Sequence, residues 1–246
     1  PGTVELKTTL RVEPTQRLTV LPGTRLLLGE HVSILSRGVM ALVGTPERPI
    51  TLERLEAKKA WGALVIHGPA ASGSRIPFAK ISGGSVPDAS TVSYTGMGSV
   101  HWADDVFIAH TQIDSNTLGD DTLHLVHSQA TLESLDFAHC YGDCIDFDYV
   151  TATARHLSIE QAGNDGVDFM TSRVMLQDIR IKGTADKGLS CGEMSEIEVD
   201  RATIEAAGTG IAVKDNSRVM LRDSLLARDA VAIDIFKKNV IYGGPG

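Results

Sequence analysis

The feature that most constrains the fold of this chain is a register that returns every 22 residues through its second half. Asp121, Asp143, Asp165, Lys187 and Thr209 stand 22 apart at each step, and the segments they open read DTLHLVH, DCIDFDY, DGVDFMT, KGLSCGE and TGIAVKD. A sixth segment, DAVAIDI, opens at Asp229 after a step of 20. The third and fifth positions of these units are Leu, Ile, Val, Phe or Cys, and the fourth is His124, Asp146, Asp168, Ser190, Ala212 or Ala232. This alternation predicts a short strand with one face buried. A strand that recurs about every twenty residues predicts a solenoid in which each coil stacks on the last. Equivalent residues of successive coils then stand in ladders about 4.8 Å apart, and function can be read down the ladders.

A second strand follows the first in each coil: ATLESLDF, TARHLSI, VMLQDIRI, IEVDRATI and VMLRDSLL. Residues 1–60 read as shorter strands punctuated by Gly23, Gly29, Gly38 and Gly44, with Pro22, Pro46 and Pro49 at strand edges, where a missing N–H does no harm. The Gly-, Ser- and Pro-rich stretch 68–90 is expected to include a loop that leaves the stack, and regular 22-residue coils are expected from 98 to 246. No long stretch has a 3.6-residue period, so almost no helix is expected. The 246 residues are read as one domain, 1–246. The closing NVIYGGPG looks like the start of another coil, which predicts a continuing chain or a partner covering that end.

Strands of this kind, joined at short Gly- and Asn-bearing corners, are the design of a right-handed parallel β-helix. The chain resembles that broad family, the pectate-lyase-like superfamily. Its opening LTVLPGTRLLLGEHVSILSRGVMALVGTPERPITL, followed by WGALVIHG, is similar to the first coils of exported bacterial members. The resemblance implies an all-β solenoid and an exported protein, secreted, periplasmic or at the cell surface. It implies function only broadly, because the family holds polysaccharide lyases, hydrolases, epimerases and non-catalytic adhesins.

A net charge of −8 argues against nucleic acid or an anionic membrane as a direct partner. An acidic protein meets an anionic polymer only through cations or a local basic patch. No run of 18 apolar residues exists to span a membrane. Of the three cysteines, Cys191 falls at an inward position and reads as a buried thiol, while Cys140 and Cys144 flank a turn and could form a short-loop disulfide.

Two acidic columns carry the functional expectation. Asp121, Asp143 and Asp165 fall at the corner entering the strand, Asp146 and Asp168 on its outward face, His124 one rung before them, and Asp120 and Asp148 beside them. Ionised carboxylates one rung apart repel unless a cation, a raised pKa or backbone donors compensate. Calcium binds six to eight oxygens, and carboxylates of adjacent rungs can share one ion, so Asp121, Asp143, Asp146, Asp165 and Asp168 are candidate ligands. These clusters are similar to those that hold calcium in some β-helix polysaccharide lyases. That resemblance implies β-elimination on a uronate-containing polymer, with Lys187 as the candidate base. His124, next to Asp146, is a second catalytic candidate, as one half of an oriented acid/base pair. Arg180, Lys182 and the outward-leaning Trp102 are the candidate substrate contacts. Two alternatives stand beside it. One is acid/base glycoside hydrolysis by the same carboxylates. The other is a non-catalytic β-helix, in which corner Asp residues accept backbone N–H groups.

Overall fold

The computed structural model describes residues 2–88 and 92–246, and the chain is wound into a stack of parallel strands. One sheet has ten strands, all parallel, from Leu10–Val12 to Val231–Phe236. The other has fourteen. Its long strands, Gln129–Cys140, Thr151–Ala162 and Arg173–Thr184, each bend in mid-strand, at Ser134, His156 and Asp178, where φ is 54°, 54° and 55°, and turn again at the residue before their last. The mid-strand bend splits that sheet into two faces. Each coil is therefore three-sided: a first face in the ten-stranded sheet, then a second and a third.

Each of the three corners carries a column of left-handed residues. The first corner has Trp102, His127, Tyr149 and Thr171, the second His110, Ser134, His156 and Asp178, and the third Ser115, His139, Gln161 and Gly183. Most are not glycine, so the turns are held by the stacking of coil on coil rather than by local preference. Side chains also tie the coils at these corners. Ser172 Oγ accepts the N–H of Val150 at 2.9 Å, and Ser195 Oγ that of Ser172 at 3.1 Å.

Inside, the apolar positions of the repeat form continuous columns. Leu123, Ile145, Val167, Leu189 and Ile211 make one, and Leu125, Phe147, Phe169, Cys191 and Val213 its neighbour; all are buried. Phe147 and Phe169 stack with centroids 5.5 Å apart. Cys191 is the buried thiol expected, with burial pushing its pKa up. Cys140 and Cys144 form a disulfide across the third corner.

Within the stretch 68–90, Arg75–Pro77 and Ala79–Ser82 are strands of the fourteen-stranded sheet, their apolar Ile76, Ala79 and Ile81 buried in the core. Positions 89 and 90 lie outside the described residues. One sequence expectation changes: the last coil keeps the 22-residue step instead of opening after 20, because Thr209 pairs with Val231 and Ala212 with Asp234. Asp234 rather than Ala232 continues the outward column; Val231, Ile233 and Ile235 alternate so evenly that the apolar pattern admits either frame. Among the described residues helix is confined to two short 3₁₀ turns, Pro69–Ala71 and Val240–Tyr242. Among the described residues no helix is long and apolar enough to cross a membrane.

Candidate active site

The first face is the site's platform, because its outward positions fall into two parallel columns. Strand register places Val65, Ser99, His124, Asp146, Asp168 and Ser190 in one column. It places His67, His101, Val126, Asp148 and Met170 in the other. Polar residues fill most of a surface that a strand normally gives to Thr or Val.

His124 is the centre of the acidic cluster. Its Nδ1 lies 2.7 Å from Thr95 Oγ1, and that hydroxyl donates to Asp121 Oδ2 at 2.6 Å. Since Thr95 gives its proton to Asp121, it accepts from the Nδ1–H of His124. Nε2 is then turned toward Asp148 Oδ2 at 3.3 Å and Asp146 Oδ2 at 3.5 Å. Thr95 comes from the segment that folds back over the face, and nothing in the repeat identifies it. Its signal, if any, is the adjacent Gly96, where a Cβ would come within 3.0 Å of His124 Cβ.

The electrostatics single out Asp146. Its side chain is 17% exposed, and Oδ1 is buried with no hydrogen-bond partner. Burial first, and then the carboxylates of Asp121, Asp148, Asp168 and Asp143, push its pKa up to about 10, so it carries a proton at neutral pH. Burial raises Asp121 to about 6 against the pull of His124. His101, also on this face, is held down to about 3 by burial and then by its histidine neighbours; neither of its ring nitrogens has a partner. One rung beyond Asp146, Asp168 faces a cation. Lys214 reaches back along the face, donating to Ser190 Oγ at 2.9 Å with Nζ 3.8 Å from Asp168 Oδ1. Gly192 opens that path, since a Cβ there would lie 3.1 Å from Lys214 Cε.

The remaining expected site residues lie apart from this cluster. Asp143 Oδ1 accepts the Asp165 N–H at 2.7 Å and Asn164 Nδ2 at 2.8 Å, and Asp165 Oδ1 accepts the Lys187 N–H at 2.8 Å. These two carboxylates staple the third corner; burial raises Asp143 to about 7. Lys187 is bound to Asp186 and lies 3.4 Å from Asp165. Burial works to lower its pKa, but these carboxylates outweigh it and hold the ammonium above its ordinary value, the reverse of what a base requires. Arg180 and Lys182 point outward on the third face, paired in register with Ser158 and Glu160. Trp102 is 46% exposed at the first corner, but His127 stacks on it at 5.5 Å and His67 meets it edge-on at 5.4 Å, so a ring edge, rather than a free face, is open to a sugar.

The five carboxylates thus do not converge on one calcium site. What converges is Asp121, His124 and Asp146, each offering a ligand atom within 4.8 Å of the others. One imidazole and two carboxylates could hold a cation, but this set falls short of the six to eight oxygens that calcium takes.

A three-sided parallel solenoid with a polar outward face defines the class of β-helix proteins. Residues 99–241 match the family described as right handed beta helix region, and the chain belongs to that family. No curated protein matches it in sequence. Among solved structures it is similar to ORF18 of Geobacillus virus E2, with TM-score 0.40 and 8% identity, over 95% of this chain and 56% of that one. It is also similar to the catalytic domain of a GH87 α-1,3-glucanase, with TM-score 0.41 and 10% identity, over 97% of this chain and 53% of that one. A third is an alginate lyase from a Paenibacillus species, with TM-score 0.30 and 12% identity, covering 93% and 97%. The chain thus spans little more than half the length of the first two. These are likenesses of fold and say nothing of this chain's reaction.

Proposed function

We propose that the protein cleaves a polysaccharide laid along the first face, by acid/base chemistry at the glycosidic bond. Asp146 is the general acid and delivers its proton to the leaving oxygen; Asp168, paired to Lys214, is the carboxylate partner. Adjacent rungs put the two near the ~5 Å separation of retaining glycosidases, so Asp168 attacks the anomeric carbon as Asp146 protonates the departing oxygen, and water later releases the sugar. His124, held by Thr95 and Asp121, positions the cluster.

The observation that carries this reading is the buried, unpartnered Oδ1 of a protonated Asp146. A purely structural carboxylate would have been given a donor, as Asp143 and Asp165 are. A linear polymer suits a face whose outward columns run unbroken through its coils. The Cys140–Cys144 disulfide supports an exported protein in an oxidising compartment.

The test is Asp146→Asn assayed on a panel of polysaccharides. Loss of about 10²–10⁴-fold in kcat with an unchanged fold is expected. Equal turnover by the variant removes Asp146 as the acid and sinks the proposal; no cleavage of any polymer by the native protein sinks it too, and leaves a non-catalytic β-helix. Metal-assisted β-elimination is the second reading, favoured by the Asp121–His124–Asp146 group. It predicts unsaturated sugar products and activity lost to a chelator, whereas hydrolysis gives saturated products and is indifferent to chelation. Restoration by calcium in particular would bring back the calcium-dependent lyase.

A further inference from the structure

The first face carries a second polar feature, several coils before the acid cluster. A cavity of about 250 Å³ is lined by Arg11, Arg37, His67 and Tyr94 over a floor of Leu35 and Val65. Register ties it to the same two columns. Arg11 pairs with Leu35 and Leu35 with Val65, so Arg11 heads the column of His124 and Asp146. Arg37 follows Ser36, which pairs with Ile66, so it stands beside His67 in the column of His101 and Asp148. Both guanidiniums are exposed, and neither has an ion-pair or hydrogen-bond partner among the described residues. The contrast with Arg25, Arg173, Arg201 and Arg228, each paired to a carboxylate, is plain. Glu13 also lines the cavity, leaving two guanidiniums against one carboxylate. His67 Nδ1 and Tyr94 OH bond each other at 2.9 Å and complete a polar wall. In a chain of net charge −8, this is a local basic patch.

We propose that this cavity is a subsite for a negatively charged group on a sugar, a uronate carboxylate or a sulfate ester, so that the polymer cleaved at Asp146 is an anionic polysaccharide. Planar guanidiniums bind both groups through paired N–H donors, and an arginine with no internal partner is free to do so. Four coils separate the Arg37 rung from the Asp146 rung. That is about 19 Å of solenoid axis, a span of several sugars. The charged group therefore sits on a sugar remote from the scissile bond. It anchors the chain in register and keeps an anion away from the carboxylates that must act.

The inference rests on the proposed reaction for its substrate, and the experiment separates the two. The Asp146→Asn protein, with its polymer left intact, is titrated by calorimetry with oligogalacturonate, a sulfated galactan oligosaccharide and a neutral glucan oligosaccharide. Binding of one anionic ligand is expected, weakened about 10- to 100-fold by added Arg11→Ala and Arg37→Ala and weakened by salt. Which ligand binds decides between carboxylate and sulfate. Arg37→Lys is expected to recover only part of the affinity, since the charge returns without the fork. Both arginines are exposed, so an unchanged thermal midpoint checks the fold. The proposal is overturned if the double alanine variant binds as tightly as its parent, or if the anionic ligands bind no better than the neutral one. Arginine-dependent binding without cleavage by the native protein would instead retain the subsite and discard the reaction; cleavage of a neutral glycan, indifferent to both arginines, would do the reverse.

Discussion

At the scale of single residues, three buried carboxyl groups bias the protein toward acid. Asp146, Asp143 and Asp121 are raised to about 10, 7 and 6 from an ordinary 3.8, with burial the largest cause for each. A carboxyl that holds its proton more tightly when folded contributes its full stability below pH 3.8 and loses it as pH rises through the folded value. Unfolding free energy from denaturant titration is therefore expected to fall between pH 5 and pH 9. In Asp146→Asn, which cannot ionise, the part of that fall above pH 8 should vanish, since Asp143 has by then lost its proton. Lys187→Met is expected to cost stability through the lost corner contacts while leaving kcat within about 3-fold, because the ammonium is engaged away from His124. A far larger loss of turnover would restore Lys187 as the base.

What the sequence reveals of the site divides along the same line. His124, Asp146 and Asp168 can be placed on one outward column by counting 22s, and the structure puts them there. Counting cannot tell the stapling Asp143 from Asp146, whose Oδ1 has no donor, since the difference lies in which backbone N–H of the next coil arrives within reach. Nor can it find Lys214, which crosses an open glycine to reach a residue two coils away. Arg11 and Arg37 escape for another reason: the early coils vary in length, so columns cannot be counted there.

At the scale of elements, the corners and their ties set the behaviour. The long strands are legible as apolar alternation, but their bends are not, because Ser134, His156 and Asp178 share no residue type. A β-branched residue tolerates such a conformation poorly, so Gln161→Val, at φ 62°, is expected to cost about 1–3 kcal/mol in urea unfolding. The Cys140–Cys144 bridge closes a loop of only a few residues, and loop-closure entropy gives it about 2 kcal/mol. The double Cys→Ala variant should lose about that much. Gly192→Val should push Lys214 off Ser190 and Asp168, with turnover falling about 10-fold or more while the core columns stay intact.

At the scale of the whole molecule, the last strand of the first face, Val231–Phe236, leaves Val231, Ile233 and Ile235 between 45% and 59% exposed, on an edge that no further strand covers among the described residues. Such an edge invites strand pairing with another chain. Light scattering at increasing concentration is expected to report association of this chain, reduced by Ile233→Lys with Ile235→Lys. Scattering identical in both proteins would mean that the edge is inert.

The three left-handed bends repeated in each regular coil make the solenoid a ruler with whole-number marks. A piece inserted between the guanidiniums of Arg11 and Arg37 and the acid of Asp146 keeps both on one face only if it is an entire coil. A fraction of a coil would swing one of them around the prism to another side. The polymer spacing that this surface can read therefore changes in steps, one coil at a time, and a relative with one more coil in that interval would be cut for a substrate whose anchoring charge lies one rung farther from the broken bond.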